Sequence, residues 1–195
     1  MKKIMFNDRY GLTQAVIEGR KTMTRRLINL NSTSDVPVRI FAGYVQIIGR
    51  SGNVCAEKKL PYKIGEVVAV AQSYEAAGFD PGYCIEGYQF AQKHAGWHNK
   101  MFVNAKYMPY QTRIAGIRCE RLQDISDAEC LKEGMRVEFA RNGMPMYYYF
   151  DTKRWREVWF DTPREAFASL IDKVYGRGTW GLNPWVVVYE FELVK

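Results

Sequence analysis

The sequence has little of what metal centres, disulfide scaffolds and membrane spans require. Only 2 histidines and 4 cysteines occur among 195 residues, and no two cysteines have the C-x-x-C spacing of zinc knuckles and dithiol redox sites. We therefore expect reduced cysteines and no metal or other cofactor. No stretch approaches the roughly 18 uninterrupted apolar residues of a membrane-spanning helix, so no membrane partner is expected.

We also expect no secretory leader, because Met-Lys-Lys is followed by only a short apolar stretch, residues 4–6, before polar residues intervene. We expect a cytoplasmic protein. A hydrophobic content of 47% and a charged content of 25% are typical of a globular chain. At this length, a single domain over residues 1–195 is favoured.

The charge balance is moderately basic. Lysine and arginine number 28 against 21 for aspartate and glutamate, giving a net charge of +7. Such a surplus attracts polyanions if it is concentrated on one face, but many basic proteins never bind nucleic acid. Charge alone therefore identifies no partner, and the oligomeric state stays open.

Hydrophobic periodicity predicts several short strands with a few interposed helices. Helices are predicted over residues 10–18, near 89–95, over 127–134 and over 163–175. Strands are predicted over residues 20–27, 44–48, 54–57, 67–71, 113–122 and 185–194. Because no regular βαβ rhythm is present, the pattern favours an α+β fold, a small mixed β-barrel with flanking helices and with insertions at 29–60 and 75–105.

The most informative segment is Gly19-Arg20-Lys21-Thr22-Met23-Thr24-Arg25-Arg26, where a short helix leads into a strand. Few structural needs place a lysine, hydroxyl groups and arginines so close together. In a regular strand, residues two apart share a face, so Lys21 and Thr24 point to opposite sides. A twist or bulge at the end of the helix is needed before these two side chains can act together.

This segment fits the pattern G-x-K-T-x-T-x-R, and two further motifs follow in the chain. They are a Tyr-Lys-x-Gly-Glu turn at 62–66, before a buried strand, and the helix start Leu-Gln-Asp-Ile-Ser at 122–126. With these motifs the chain resembles the ASCH family of the PUA-like superfamily. Residues 176–191 are similar to the end of larger, often phage-associated members. The resemblance implies a PUA-like barrel with a cleft for RNA or a modified nucleoside.

The resemblance also implies an activity, because one branch of small ASCH proteins hydrolyses the amide of N4-acetylcytidine. Those enzymes use a lysine and a threonine of the G-x-K-T-x-T motif and a later glutamate. Lys21 and Thr24 match the first two, and Glu133 in Glu-Gly-Met matches the third. The neighbouring arginines, which can stabilise negative charge or hold a phosphate, are candidate ligand-binding residues: Arg20, Arg25 and Arg26.

The chemistry of such a site is coherent. Amide hydrolysis needs a nucleophile, a base and donors for the developing oxyanion. Thr24 is the candidate nucleophile, and Lys21 is the candidate base because burial and like charges favour loss of its proton. Glu133 is the candidate group that passes the proton to the departing amine.

Other interpretations account for the same residues. Lys21 and Arg26 also fit an exposed edge strand, where positive charge discourages aggregation, and Glu133 also fits a helix end that pairs with an arginine. Residues 69–74 read Ala-Val-Ala-Gln-Ser-Tyr, where larger ASCH members commonly carry Trp-Val-Arg-Glu-x-Trp. The missing arginine and glutamate weaken the enzyme hypothesis more than the predicted fold.

Two functions without catalysis therefore remain, a regulatory RNA-binding module that uses the same basic cleft and a phage-related adaptor that binds protein. Residues 147–160 mix aromatic and basic side chains, as surfaces for unpaired bases do, although core packing explains that composition as well. His94 and His98 have i, i+4 spacing, but Gly96 interrupts a helix between them and no third ligand is near. We expect no metal there.

Overall fold

A computed structural model describes residues 1–28, 37–85, 87 and 89–194, and the chain there is a mixture of many short strands and few helices. The strands are β1 (Lys3–Ile4), β2 (Met23–Leu27), β3 (Val38–Phe41), β4 (Tyr44–Ile48), β5 (Val54–Lys59), β6 (Val67–Val70), β7 (Cys84–Ile85), β8 (Gln89–Phe90), β9 (Gln111–Arg121), β10 (Arg136–Phe139), β11 (Pro145–Asp151), β12 (Arg156–Phe160) and β13 (Trp185–Leu193). The helices are α1 (Leu12–Ile17), α2 (Asp127–Lys132), α3 (Pro163–Tyr175) and α4 (Thr179–Leu182). The predicted α+β class is confirmed.

The central element is a five-stranded sheet in the order β1-β6-β9-β13-β2. Only the β1–β6 pair is parallel, and the other neighbours are antiparallel. The ladder between β9 and β13 is the longest in this sheet and contains a bulge between Glu190 and Phe191. Such a bulge bends and twists the strand, so the sheet curves around the apolar core.

The pairing of the described strands does not close this sheet into the expected barrel, because no ladder joins β1 to β2. The two edges nevertheless lie near each other. Arg26 on β2 donates a hydrogen bond to the carbonyl of Met5, which follows β1. Phe6 packs against Phe191 of β13 with ring centroids 5.5 Å apart. Side chains rather than backbone ladders therefore connect the edges.

Helix α3 forms where its sequence signals predict. Thr162 accepts a hydrogen bond from the backbone of Glu165, whose side chain accepts in return from the Thr162 backbone, and Pro163 occupies the first turn. One face of the helix buries Phe167, Leu170 and other apolar side chains in the main core. Burial of each such side chain contributes about 1.5–3 kcal/mol to the free energy of folding.

None of the helices in the described ranges is long and apolar enough to cross a membrane.

The insertion predicted at 29–60 is described from residue 37 onward, and 29–36 lie outside the described residues. The predicted hairpin of 44–48 and 54–57 is confirmed as β4 and β5, and β3 adds a third strand. Val45 and Ile47 of β4 are buried, whereas β5 is exposed throughout. The insertion therefore forms a small sheet with one apolar face toward the body of the protein.

The predicted short helix near 89–95 is wrong. The chain there forms the two-residue strand β8 and one 3-10 turn over Ala91–Lys93. Phe90 and His94 on either side of that turn have extended backbone angles, which end it after three residues. His94 accepts a hydrogen bond from the backbone of Gly96, and exposed His98 contacts Glu75 at 2.9 Å. The two histidines therefore do not share a helical face.

Candidate active site

The turn between α1 and β2 determines where Lys21 points. Gly19 has a φ of 73°, a left-handed conformation that ends the helix without strain for glycine. The Lys21 amide donates to the carbonyl of Ala15, and the Thr22 amide donates to Lys132 at the end of α2. The regular strand begins only at Met23. Lys21 is thus outside the strand alternation, which is the irregularity that cooperation with Thr24 requires.

Glu133 is the C-cap residue of α2 and its side chain meets Lys21 inside the protein. Lys21 Nζ donates to Glu133 Oε2 at 2.6 Å and to the Glu133 carbonyl oxygen at 2.8 Å. The two side chains are only 2% and 5% exposed. Such a pair survives burial only because both charges are partnered. The turn after α2 and the turn before β2 therefore build one ionic contact.

The surroundings of Lys21 act on its proton affinity. Burial, the largest influence, lowers the pKa of Lys21 below the ordinary 10.5, while the Glu133 carboxylate opposes that change. The nearby charges of Arg26 and Arg25 lower this pKa further. The net effect is a lowered pKa of Lys21, so its neutral amine forms at a lower pH than that of an exposed lysine.

Arg25 is paired with three carboxylates. Its guanidinium donates to Glu120 Oε1, to Glu129 Oε2 at 2.9 Å and to Glu133 Oε1 at 3.1 Å. Its side chain is 1% exposed and lines the same cavity as Lys21. Arg25 therefore holds Glu133 in place, and its contact with a ligand stays a prediction.

Sequence reasoning missed the outer part of this ionic network. Arg118 of β9 contacts Glu120 at 2.7 Å and Glu129 at 2.5 Å, and it also donates to Glu190 of β13. The one available signal was the spacing of Arg118 and Glu120, which share a face of one strand. Glu129 also forms the capping box of α2 with Ser126.

The other two predicted arginines lie apart from each other. Arg20 donates to Glu18 and, at 3.4 Å, to the carbonyl of Gly134, and it lines a different surface depression. Arg26 donates to Met5 and stacks over the Phe6 ring at 5.9 Å. Of these two side chains, only Arg26 is brought to the cavity of Lys21.

Lys21, Thr24 and Glu133 line one cavity of about 60 Å³. Apolar side chains of α3 form its far wall: Phe167, Leu170, Ile171 and Val174. Tyr175 of the same helix also lines the cavity and donates its hydroxyl to the carbonyl of Arg25 at 3.0 Å. The volume corresponds to about two water molecules. The three predicted catalytic side chains therefore line one small cavity.

The aromatic and basic segment at 147–160 forms a second surface. Trp155 is 81% exposed, has a positive φ of 50° and meets Phe150 edge to face. Trp159 is 40% exposed and packs on Tyr148 with ring centroids 4.2 Å apart. The part of this segment that points inward, including Tyr149, belongs to the core. Base stacking on the outer part stays a hypothesis.

Comparisons with models of protein families, with curated proteins and with solved structures found no match. The ASCH resemblance thus rests on the motifs in the sequence. What the structure adds is the geometry around them. A buried lysine, a buried threonine and a buried glutamate share a cavity, and an arginine fixes the glutamate.

Proposed function

We propose that this chain is an ASCH-type hydrolase that cleaves an acylamide on a nucleobase, of the N4-acylcytidine class. The observation that carries the proposal is the contact of Lys21 Nζ with Glu133 Oε2 at 2.6 Å in the cavity that Thr24 also lines. A buried base, an adjacent hydroxyl and a second proton acceptor are the groups that amide hydrolysis requires.

The proposed fold is a PUA-like barrel. Its support is the curvature of the five-stranded sheet, whose edges lie close enough for the side chain of Arg26 to reach the carbonyl of Met5. All five strands contribute side chains to the main apolar core, and α3 packs against that core. The proposed active site lies at the end of α2, between β2 of this sheet and α3.

In the first chemical step, neutral Lys21 accepts the proton of the Thr24 hydroxyl, and Thr24 Oγ1 forms a bond to the acyl carbon. The carbonyl π electrons move to oxygen and give a tetrahedral oxyanion. Two arginines line the cavity, and Arg26, unlike Arg25, has no ion pair with a carboxylate of the described residues, so it is the candidate donor for this oxyanion. The fall in the pKa of Lys21 favours the neutral amine from which this step starts.

In the second step, the carbon–nitrogen bond breaks and the departing exocyclic amine takes a proton from Lys21, relayed through Glu133. The acyl group is then an ester of Thr24. Water adds to this ester and gives a proton to Lys21; the bond between the acyl carbon and Thr24 Oγ1 then breaks, and Oγ1 takes that proton back as the carboxylic acid is released. The sum is amide plus water to amine plus acid, with Lys21 and Glu133 unchanged.

The cavity size restricts what enters it. About 60 Å³ admits an acyl group of two carbons but not a nucleoside, because pockets for whole ligands of that size are typically 300–1,000 Å³. The base and sugar therefore remain outside the cavity, on the side of Arg26, while the acyl end reaches Thr24. A short acyl chain is the expected substrate feature.

A non-catalytic RNA-binding module is the second candidate. The observation that favours it is the exposed surface of Trp155 and Trp159 beside Arg154 and Arg156, since stacking rings and cations together hold single strands. In that case the Lys21–Glu133 pair is structural. A protein-binding adaptor is the third reading, to be taken up if the protein binds no nucleic acid at low salt.

The deciding experiment measures release of cytidine from N4-acetylcytidine by the purified wild type and by Lys21→Ala, Thr24→Ala and Thr22→Ala variants. Thr22 belongs to the same motif but does not line the cavity, so its variant is the matched control. We expect turnover by the wild type and Thr22→Ala and none by the other two. A folded wild type without turnover would overturn the proposal.

A further inference from the structure

A larger cleft of about 440 Å³ lies between β2 and the inserted sheet of β3, β4 and β5. Its apolar wall includes Leu27 of β2, Val45 of β4, Tyr62 and Tyr189. The two tyrosine rings meet edge to face with centroids 5.4 Å apart. The cleft has the volume and the mainly apolar lining of a small-molecule site.

Among the described residues, the charged side chains that line this cleft all have one sign. They are Lys3, Arg26, Lys58 and Lys59, and no aspartate or glutamate within residues 1–28, 37–85, 87 and 89–194 lines it. The ammonium of Lys3 is already used, because it donates to the carbonyls of Met101 and Val103 at 2.6 Å and 2.8 Å. Lys58 and Lys59 are exposed and have no ion pair with any residue in the described ranges. Lys58 is opposite Val45 in the β4–β5 ladder and so shares its face, and Lys59 ends the strand beside it. An anion that reaches the rim therefore meets the unpaired ammonium of Lys58, with the unpaired Lys59 as its neighbour along the chain.

Arg26 connects this cleft to the proposed active site. It lines both the 440 Å³ cleft and the 60 Å³ cavity of Lys21. Its charge lowers the pKa of Tyr62 and Tyr189 on one side and of Tyr175 on the other, in each case against the larger raising effect of burial. A ligand whose acyl end reaches Thr24 past Arg26 has the remainder of its body in the cleft.

We propose that the cleft is the subsite for the phosphorylated body of the substrate, so that the protein acts on a nucleotide in preference to a free nucleoside. The base and ribose lie against the apolar wall, and the phosphate lies at Lys58 and Lys59. This inference rests on the proposed function for its link to Thr24. It concerns β4 and β5, which lie in a part of the chain that contributes little to the family resemblance.

The physical reason is complementarity of charge and shape. A neutral nucleoside fills the apolar wall but leaves both lysines without a partner. A phosphate adds charge-assisted contacts to them, and such contacts weaken as salt is added. A preference for the phosphorylated ligand that disappears at high salt is therefore the signature of this subsite.

The test compares binding of cytidine and cytidine 5′-monophosphate by calorimetry, for wild type and for a Lys58→Ala/Lys59→Ala double variant. The control is Lys153→Ala/Lys173→Ala, which removes the same two charges from exposed positions that do not line the cleft. We expect the wild type and the control to bind cytidine 5′-monophosphate at least about tenfold more tightly than cytidine. The cleft variant should bind both ligands equally. Equal affinity in the wild type, or an unchanged preference in the cleft variant, would overturn the inference.

Hydrolysis assays separate this inference from the proposed function. N4-acetylcytidine and its 5′-monophosphate are offered to the wild type and to the cleft variant. A phosphate-dependent binding preference without hydrolysis of either compound would sustain the subsite and overturn the amidohydrolase. A short single-stranded RNA with one N4-acetylcytidine forms the last arm. If it binds more tightly than the mononucleotide, RNA is the source of the phosphate; if it does not, the free nucleotide is.

Discussion

The Nζ atom of Lys21 lies 2.6 Å from Oε2 of Glu133, and Arg25 holds the other carboxylate oxygen at 3.1 Å. Glu133 thus bridges Lys21 and Arg25, which have only three residues between them at the start of β2. One cation has a lowered pKa and the other is tied to three carboxylates. This asymmetry makes Lys21 the group that can give up its proton and Arg25 the group that keeps the geometry.

Replacing Lys21 with arginine should abolish hydrolysis while preserving the charge. A guanidinium stays protonated at accessible pH and is no base, so the rate should fall by a factor of about 10²–10⁴. In the wild type, kcat/KM should rise with pH, because only the neutral amine accepts a proton, and should level off above the lowered pKa of Lys21. A pH–rate profile checks this expectation, and a Lys21→Arg variant with wild-type rates would refute the assigned role.

Removing Arg25 should destabilise the protein strongly. Arg25→Ala leaves Glu133 and its neighbours Glu120 and Glu129 without their shared cation, and breaking a buried ion pair costs about 3–5 kcal/mol. The matched control is Arg113→Ala. The Arg113 side chain is 51% exposed and pairs with Glu192 at 3.6 Å, so its loss should lower the free energy of unfolding by less than about 1 kcal/mol. Urea denaturation of both variants measures the difference. Similar losses would show that the network is not a stabilising unit.

The turn after Glu133 should tolerate only glycine well. Gly134 has a φ of 103°, and a Cβ there would contact Ala15, Leu12 and Lys21 at 3.4–3.5 Å. Gly134→Ala should cost about 1–3 kcal/mol through backbone strain. Gly181→Ala in α4, where a Cβ meets nothing within 4 Å and φ is not positive, should be neutral or slightly stabilising. Thermal unfolding of the two variants distinguishes strain from a general effect of the substitution.

Enlarging the cavity should change acyl preference. Ile171 of α3 is buried and lines the cavity, so Ile171→Ala should cost about 2–5 kcal/mol and add space beside Thr24. We expect the ratio of hydrolysis of N4-butyrylcytidine to N4-acetylcytidine to rise relative to wild type. Leu182→Ala, at a 75% exposed position, is the control and should leave this ratio and the stability unchanged. A constant ratio in Ile171→Ala would mean that the acyl group lies elsewhere.

Much of the local structure followed from the sequence, because its signals act between near neighbours. The helix start that ends at Ser126 and the apolar spacing within residues 163–175 were sufficient to place both helices. The helix expected near 89–95 failed for the opposite reason. Ala91 packs with Tyr74, Trp97 and Met108 in a second cluster, which arises from contacts distant in sequence, whereas Phe90 is exposed.

The sequence by itself determined the α+β class, most element positions and the motif that contains Lys21 and Thr24. Only the tertiary structure decided which charges meet. Arg25 turned inward to Glu120, Glu129 and Glu133, Arg20 turned away to Glu18, and Arg26 came to lie between two cavities. The physical reason is that pairing of buried charges depends on distances of a few ångström between β2, β9 and α2. Residue spacing along one segment does not encode those distances.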